Sequence, residues 1–184
     1  MDKLARTDEM KTRIDGFRPL SHHMLRQIKE YLRIGFTYAS NALEGNSLTE
    51  TETKIVIEDG ITIGGEPLRD HYEAIGHSEA YDLLLNTAKQ KEITENQIKE
   101  LHRVFFYRID AKQAGKYRRQ KVLISGTDFI PPAPDLIPGL MTNFVGRIPE
   151  LRSTRHPIEF AAILHKELVT IHPFFDGNGR VGQD

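Results

Sequence analysis

Apolar residues recur at helical spacing along most of the chain, which predicts a mainly helical fold. One stripe, at spacings of three or four residues, consists of Leu25, Ile28, Leu32 and Phe36. Thr49–Glu52 and Thr94–Gln97 have the sequence of a capping box, in which two side chains satisfy backbone N–H groups at a helix start. Each box precedes a further apolar run, so we expect a helix to begin at each one.

Three further helices are predicted from the same periodicity. The first runs from Arg69 to Lys89, and the second is capped by Asp135 and carries Leu140, Phe144 and Ile148 on one face. Residues 157–171 open with proline and are apolar almost all round, which is typical of a buried central helix. Pro173 is expected to end this helix, because the residue before a proline disfavours the helical region.

Residues 115–132 break the helical pattern. They combine polar–apolar alternation, β-branched residues, a Ser125-Gly126 turn and a terminal Pro131-Pro132 pair. This pattern predicts a short β-hairpin at Tyr117–Ile130. A hairpin that only covers the core fits the pattern equally well. The predicted fold class is therefore all-α with one small β-hairpin.

Composition narrows the functional classes. A chain of 184 residues is expected to form one domain with its own core. Its net charge of −1 gives no broad electrostatic footprint for nucleic acid. The sequence has no cysteine, which excludes disulfides and suits a reducing cytoplasm. No run approaches the ~18 apolar residues of a membrane span, so we expect neither a nucleic-acid nor a membrane partner.

The strongest chemical signal is His172-Pro-Phe-Phe-Asp-Gly-Asn-Gly-Arg180. Consecutive backbone N–H groups around the Gly-Asn-Gly turn suit a phosphate. Asp176 is a hard oxygen ligand appropriate to Mg²⁺, and Arg180 offers a charge-assisted fork to phosphate oxygens. His172 is placed to take a proton from a hydroxyl. A lone histidine is usually a satisfied polar residue and a lone Asp-Gly-Asn-Gly a turn, but their combination favours a phosphate site.

These nine residues resemble the Fic/Doc signature H-P-F-x-D/E-G-N-G/K-R-x-x-R, whose usual chemistry is transfer of AMP from ATP to a protein hydroxyl. The resemblance implies a mainly α-helical Fic fold with ATP and Mg²⁺ at this site. It makes His172 the base and Asp176 the metal ligand. Asn178, with the backbone of Gly177 and Gly179, would grip the α- and β-phosphates, and Arg180 would neutralise developing charge. The second signature arginine falls on Gln183.

The resemblance also assigns a role to the predicted hairpin. Tyr117–Ile130 is similar in position to the family's flap, which lies over the active site and holds the target segment as an added strand. Main-chain hydrogen bonds of that kind do not require a particular target sequence. Four residues of the flap, Gly126, Thr127, Asp128 and Phe129, are expected to approach the nucleotide.

A second segment, Ser40-Asn-Ala-Leu-Glu44-Gly45-Asn46, resembles the family's inhibitory motif S/T-x-x-x-E-G/N. There the glutamate enters the nucleotide site and pairs with the second signature arginine. Gln183 could give Glu44 only a neutral hydrogen bond, so a weaker clamp is expected. The predicted organisation is an N-terminal helical region, 1–48, that carries this motif, and a Fic core, 49–184, cut short after the signature.

The sequence thus predicts a protein adenylyltransferase that Glu44 inhibits and that modifies Ser, Thr or Tyr hydroxyls. Two alternatives remain open. Gln183 and the chain end at Asp184 are compatible with a catalytically impaired nucleotide-binding or interaction module. Glu44 could instead position a water that removes AMP from a target. A Doc-type phosphotransferase is disfavoured, because that branch has lysine where this chain has Gly179. Target identity is open, as is assembly into a homo-oligomer.

Overall fold

The computed structural model describes residues 2–88, 90, 92–124 and 126–183, so Lys89 and Asp184, which the predictions include, lie outside it. Within the described residues there are eight α-helices, one 3₁₀ turn and no β-strand. The helices are α1 (Lys3–Asp15), α2 (His22–Leu43), α3 (Glu50–Glu58), α4 (Leu68–Thr87), α5 (Glu95–Phe106), α6 (Ile137–Thr154), α7 (Pro157–Ile171) and α8 (Asn178–Gln183), and the 3₁₀ turn is Pro134–Leu136. None of the helices in the described part of the chain has the length and apolar character that a bilayer crossing requires.

The protein forms two compact units, Met1–Leu32 and Arg33–Asp184. In the smaller unit α1 has no buried residue, and the Leu25, Ile28 and Leu32 side chains of the predicted stripe are exposed. The unit boundary lies inside α2. The segment Ser40–Gly45 therefore belongs to the larger unit together with the signature residues, and the functional division at residue 48 stays a prediction.

Helix starts follow the predicted caps in two cases and depart from them in one. The Thr49–Glu52 and Thr94–Gln97 capping boxes are both formed, so α3 and α5 begin where the sequence indicates. The predicted Asp135 cap is wrong. Asp135 lies inside the 3₁₀ turn, and the Pro134 carbonyl accepts the Ile137 N–H, so the entry into α6 needs no side-chain cap.

The main core of the larger unit lies where α5, α6, α7 and α8 meet. Its buried members are Ile98, Ile137, Met141, Phe144, Ile148, Leu168, Ile171, Phe174 and Val181. Phe174 and Val181 flank the Asp-Gly-Asn-Gly stretch, so the loop that carries the candidate chemistry is anchored in the core on both sides. Burial of large apolar side chains stabilises such a loop by about 1.5–3 kcal/mol each.

Helix α7 is less buried than the sequence predicts. Only Leu168 and Ile171 are buried in it, whereas Ile158 is 43% exposed. One face of α7 packs against α6 and α8. No described residue buries the opposite face, which includes Ala161 and Ala162. The prediction of a helix buried all round is therefore wrong for this chain, because apolar composition does not reveal which faces have a neighbour.

The predicted β-hairpin at Tyr117–Ile130 is absent from the described residues, which exclude Ser125 of the predicted turn. The base of this segment bonds to other parts of the chain. The Arg118 backbone N–H donates to the Pro173 carbonyl (2.9 Å), and its side chain donates to the carbonyls of Gln120 (3.0 Å) and Pro132 (2.7 Å). These bonds take the place of a strand ladder. Polar–apolar alternation indicated strands but not whether two strands would pair.

Helices α4 and α5 are in close backbone contact at Gly76. A Cβ atom at this position would lie 2.1 Å from the Phe105 carbonyl oxygen. We expect Gly76→Ala to lower the free energy of unfolding by about 1–3 kcal/mol or more, because backbone must move to make room. Urea unfolding measures the change. The matched control is Gly146→Ala in α6, where no atom lies within 4 Å of the new Cβ; alanine should be neutral or stabilising there. Equal stability of Gly76→Ala and the unmodified chain would contradict the observed packing.

Candidate active site

His172 occupies a strained position at the end of α7. Its backbone is left-handed, with φ 50° and ψ 58°, and its N–H donates to the Leu168 carbonyl at 2.9 Å. The predicted end of the helix before Pro173 is confirmed. A non-glycine residue in this region costs about 1–2 kcal/mol, and such residues cluster at functional sites. The turn redirects the chain into the Phe174–Gly177 loop.

The loop is closed by the side chain of Asn178. Its Oδ1 accepts the Phe174 N–H at 2.8 Å, and its Nδ2 donates to the Phe174 carbonyl at 2.9 Å. The residue is 2% exposed. Both ends of the amide are therefore committed to the loop, and only the backbone of Asn178 is free to face a phosphate. The Gly177 N–H donates to Asp176 Oδ1, so the predicted grip on phosphates falls to the backbone of Asn178 and Gly179.

Asp176 lies at the mouth of the site and is surrounded by donors. Its Oδ1 accepts the Gly177 N–H at 2.6 Å, its Oδ2 pairs with Arg69, and Arg180 lies 3.5 Å from Oδ1. Burial works to raise the pKa of Asp176, but the Gly177 N–H and the two guanidinium groups outweigh it, so its pKa is below the usual value. The group is a carboxylate at neutral pH, as a metal ligand must be.

Arg180 is buried beneath the loop and is 3% exposed. Its guanidinium lies 3.5 Å from Glu73 and 5.0 Å from the centroid of the Phe105 ring. Its Nε has no hydrogen-bond partner among the described residues. A cavity of about 250 Å³ opens beside it, between Asp176 and Glu44. A buried cation with spare donor capacity at a cavity is suited to binding an anion.

Two residues of α4, Arg69 and Glu73, form ion pairs with Asp176 and Arg180 respectively. No sequence pattern pointed to either of them. Arg69 pairs with Glu73 at 3.0 Å as well as with Asp176. Glu73 also accepts from Asn46 Nδ2 at 3.1 Å. The spacing of Arg69 and Glu73, four residues apart, is typical of a helical ion pair. Nothing in the sequence linked that pair to Asp176.

Glu44 lies directly against the signature. A Cβ atom at Gly179 would be 1.8 Å from Glu44 Oε1, so the carboxylate fills the space that a side chain would need there. The structure therefore brings the predicted inhibitory glutamate to the predicted phosphate cradle. Gln183 instead accepts a hydrogen bond from Ser40, the first residue of the same motif. No bond between Gln183 and Glu44 is formed in the described part of the chain.

His172 is held in an environment that favours its neutral form. Burial lowers its pKa, the Arg118 charge adds to this effect, and the Val169 carbonyl and Asp176 oppose it. The Arg118 guanidinium also donates to the His172 carbonyl at 2.7 Å, which fixes the backbone of the turn. A neutral imidazole can accept a proton, which is what a general base requires. Arg118 was also missed, because its role depends on contacts distant in sequence.

The residues predicted to approach the nucleotide from the flap are not bonded to the site residues in the described part of the chain. Gly126, Thr127, Asp128 and Phe129 are exposed, and the hydrogen bond among them is local, from Phe129 N–H to Thr127 Oγ1 at 3.1 Å. Within the described residues no hydrogen bond or ion pair joins them to His172–Arg180. Their contact with a nucleotide stays a prediction.

His102 of α5 packs against the Phe174–Gly177 loop. No sequence pattern pointed to this residue. Its ring stacks on Phe174 with centroids 3.8 Å apart. Its Nδ1 accepts the Gly115 N–H at 2.9 Å, so Nε2 carries the hydrogen and donates to the Asp176 carbonyl at 3.1 Å. This neutral ring joins α5 to the candidate site.

Two buried histidines make stability depend on pH. Burial lowers the pKa of His77 and of His102 to about 4. Between the unfolded value of about 6.5 and the folded value, the unfolded chain binds more protons, so stability falls as the pH falls. The loss approaches roughly 3 kcal/mol for each group below pH 4. Urea unfolding at pH 7 and at pH 4.5 measures it.

The matched variant for that experiment is His102→Gln. It should be less stable at pH 7, because a stacked ring is lost, but should lose less stability on acidification. If the unmodified chain were equally stable at both pH values, the two histidines would not be buried in their neutral form.

Comparison with known proteins connects this geometry to a family. The model of the Fic/DOC family matches residues 92–183. Proteins named protein adenylyltransferase Fic are similar in sequence. That of Nematostella vectensis is 36% identical to this chain, and the match covers 99% of this chain and 43% of the relative. That of Drosophila erecta is also 36% identical, and the match covers 89% of this chain and 33% of the relative. The chain thus spans less than half the length of these curated relatives.

Solved structures agree with the sequence comparison. A Fic domain containing signaling protein from Bacteroides thetaiotaomicron superposes with a TM-score of 0.85 at 30% identity, over 95% of this chain and 68% of that one. Fic-1 from C. elegans superposes with a TM-score of 0.83 at 31% identity, and the match covers 97% of this chain and 53% of that one. The fold, the nine residues His172–Arg180 and these relatives lead to one conclusion: the chain belongs to the Fic/DOC family.

Proposed function

We propose that this chain transfers AMP from ATP to a Ser, Thr or Tyr hydroxyl of a protein. The hydroxyl oxygen forms a bond to the α-phosphorus, and the bond from that phosphorus to the oxygen bridging to the β-phosphate breaks. Pyrophosphate leaves, and the hydroxyl proton passes to His172. The relatives named protein adenylyltransferase support this reaction.

One observation carries the proposal. A neutral, half-buried histidine, a carboxylate with a lowered pKa and a buried arginine lie within nine consecutive residues, from the end of α7 to the first turn of α8. Each group has the protonation state that the reaction needs: a base to accept a proton, an anion to hold a metal, and a cation to stabilise phosphate charge. In this proposal the backbone N–H groups of Asn178 and Gly179 hold the α- and β-phosphates, because that of Gly177 already donates to Asp176 Oδ1.

Asp176 fits a role as the ligand of Mg²⁺ that arrives with ATP. The carboxylate borders the 250 Å³ cavity, and Mg²⁺ is usually held by one or two carboxylates together with substrate phosphates. The described residues contain no cluster of three metal-binding side chains, which agrees with a shared rather than a dedicated metal site. When bound, Mg²⁺ would neutralise phosphate charge.

Removing the Asp176 charge should abolish the dependence of ATP binding on Mg²⁺. In the unmodified chain a carboxylate repels phosphates unless a cation lies between them, so EDTA should weaken binding by about tenfold or more. In Asp176→Asn the repulsion is gone, and Arg69 is released to contact phosphate. Calorimetric titration of both proteins with ATP, in Mg²⁺ and in EDTA, measures the four affinities. Equal affinity of the unmodified chain in both buffers would remove the metal from the proposal.

The same proposal makes Glu44 an inhibitor of the site. Its carboxylate lies against Gly179, where it competes with phosphate for the backbone donors of the cradle. The hydrogen bond between Ser40 and Gln183 joins the motif to α8 and would hold the glutamate in place. Gln183 thus contributes through Ser40 rather than through a charged pair with Glu44.

Target docking along Tyr117–Ile130 is part of the proposal. Arg118 holds the base of this segment to the His172 turn, while Leu123 and Ile130 are 84% and 73% exposed. The exposed part can accept a target segment through its backbone.

A second candidate, removal of AMP from a modified protein, is favoured by the position of Glu44. A solvent-exposed carboxylate beside the cradle could activate a water for attack on the phosphorus. In that case Glu44→Gly would abolish removal, whereas it would enhance transfer if Glu44 only inhibits.

Labelled ATP distinguishes these activities. The chain is incubated with α-labelled or γ-labelled ATP, alone and with a cell lysate. AMP transfer places the α-label on protein and leaves the γ-label in pyrophosphate. Protein labelled only by γ-labelled ATP would show phosphoryl transfer instead. No label from either nucleotide, with the unmodified chain and with Glu44→Gly alike, would support a silent interaction module.

A further inference from the structure

A second cleft, separate from the 250 Å³ cavity, borders the signature loop on the side of Phe175. It encloses about 690 Å³ between the Lys112–Gln120 stretch, Lys99 of α5, and the prolines that precede and begin α6. We call it the basic cleft. Phe175 is 46% exposed there, although its neighbour Phe174 is fully buried. The cleft therefore begins one residue from Asp176.

The charge of the basic cleft has one sign. Its lining includes five cationic side chains, those of Lys99, Lys112, Lys116, Arg118 and Arg119, and no aspartate or glutamate. The chain as a whole has a net charge of −1, so this concentration is local. A concave surface lined by one sign of charge attracts ligands of the opposite sign.

Two of the five cations are already committed. Lys99 pairs with Glu95 at 2.7 Å, and Arg118 is 2% exposed with its guanidinium bound to three carbonyls. The other three, Lys112, Lys116 and Arg119, are exposed, and of these the Lys116 ammonium donates one hydrogen bond, to the Lys112 carbonyl at 2.9 Å. None of the three forms an ion pair with a carboxylate in the described part of the chain. Their positive charge is therefore available to an anionic ligand.

We propose that the basic cleft binds an acidic segment of the target polypeptide. The preferred acceptor is then a hydroxyl that has Asp or Glu residues close to it in sequence. This inference rests on the proposed transfer of AMP to protein, and it adds the class of target. The cleft joins the His172 turn through Arg118, so a segment held by Lys112, Lys116 and Arg119 would lead its hydroxyl towards the catalytic loop.

An acidic polypeptide suits the cleft better than a nucleic acid. The cleft adjoins the start of the Tyr117–Ile130 segment, whose described part is not paired in a sheet and so offers backbone groups to another peptide. Nucleic-acid sites combine a basic groove with several aromatic stacking surfaces. The exposed aromatic ring here is that of Phe175, since Tyr117 is covered by the Lys99 ammonium 4.1 Å from its centroid.

Fluorescence anisotropy tests the inference without requiring catalysis. Three labelled probes are compared: a threonine peptide flanked by Asp and Glu, the same peptide with Asn and Gln instead, and single-stranded oligodeoxythymidine. The test variant is Lys112→Gln/Lys116→Gln/Arg119→Gln. The matched control, which also loses three positive charges, is Lys54→Gln/Arg155→Gln/Lys166→Gln. ATP affinity is measured for every protein.

The acidic peptide should bind the unmodified chain about tenfold more tightly than the neutral peptide, and added salt should reduce the difference. The test variant should lose this preference, whereas the control variant and all ATP affinities should be unchanged. Equal binding of the two peptides would overturn the inference. Tighter binding of oligodeoxythymidine that is lost in the test variant would assign the cleft to nucleic acid. A parallel loss of ATP affinity would assign it to the nucleotide. Because no probe is modified, these results are independent of whether AMP transfer occurs.

Discussion

Replacing His172 with alanine is expected to lower AMP transfer by roughly 10²–10⁴-fold, the usual contribution of a positioned general base. The hydroxyl of a target residue has a high pKa and is a weak nucleophile until a base accepts its proton. His172 is half-buried and its pKa is lowered by burial, so the imidazole is neutral and ready to accept. The rate of transfer from α-labelled ATP measures the loss.

The backbone of His172 requires a second variant as a control. Alanine in a left-handed conformation is strained, whereas asparagine tolerates it. His172→Asn should therefore keep the loop geometry and the ATP affinity while it loses the base. Thermal unfolding and ATP titration verify both points. Transfer at the unmodified rate in His172→Asn would show that another group accepts the proton.

Replacing Glu44 with glycine is expected to raise ATP affinity by about tenfold and to increase transfer with it. The carboxylate lies against Gly179, where under the proposed function it would repel the phosphates of ATP. Two like charges a few ångströms apart at the protein surface repel each other by on the order of 1–4 kcal/mol. A change of about 1.4 kcal/mol in binding free energy corresponds to a tenfold change in affinity. Calorimetry with Mg²⁺-ATP measures the affinity.

Two further variants distinguish the effect of the Glu44 charge from the effect of its side-chain volume. Glu44→Gln removes the charge but keeps the side-chain volume. The ATP affinity of Glu44→Gln should therefore rise less than that of Glu44→Gly. Gly179→Ala places a Cβ 1.8 Å from Glu44 Oε1 and must displace the carboxylate. Glu44→Gly with unchanged ATP affinity would mean that this motif does not control the nucleotide site.

Local sequence patterns predicted the features that depend on neighbouring residues. The capping boxes at Thr49 and Thr94 begin α3 and α5, and Pro173 ends α7, because each signal acts within one helical turn. The nine-residue signature likewise contains its chemistry in consecutive positions. That compactness explains why the amino-acid sequence alone points to His172, Asp176 and Arg180.

Features that depend on distant contacts could not be predicted in the same way. Arg69 reaches Asp176 across 107 positions of the sequence, and His102 reaches it across 74. The sequence pattern placed Arg118 in a predicted strand. In the structure its guanidinium donates to backbone carbonyls that include those of His172 and Pro132. The exposed face of α7 and the missing strand ladder have the same cause: composition describes a segment but not its neighbours.

The central claim, AMP transfer by His172 under restraint by Glu44, is tested most directly by counting both products of the reaction. The amounts of pyrophosphate released and of α-label attached to protein are measured together for the unmodified chain, Glu44→Gly and Glu44→Gly/His172→Asn. We predict equal amounts of the two products, more of both in Glu44→Gly, and at least a hundredfold less in the double variant. Label on protein without matching pyrophosphate, or a double variant as active as Glu44→Gly, would contradict the claim.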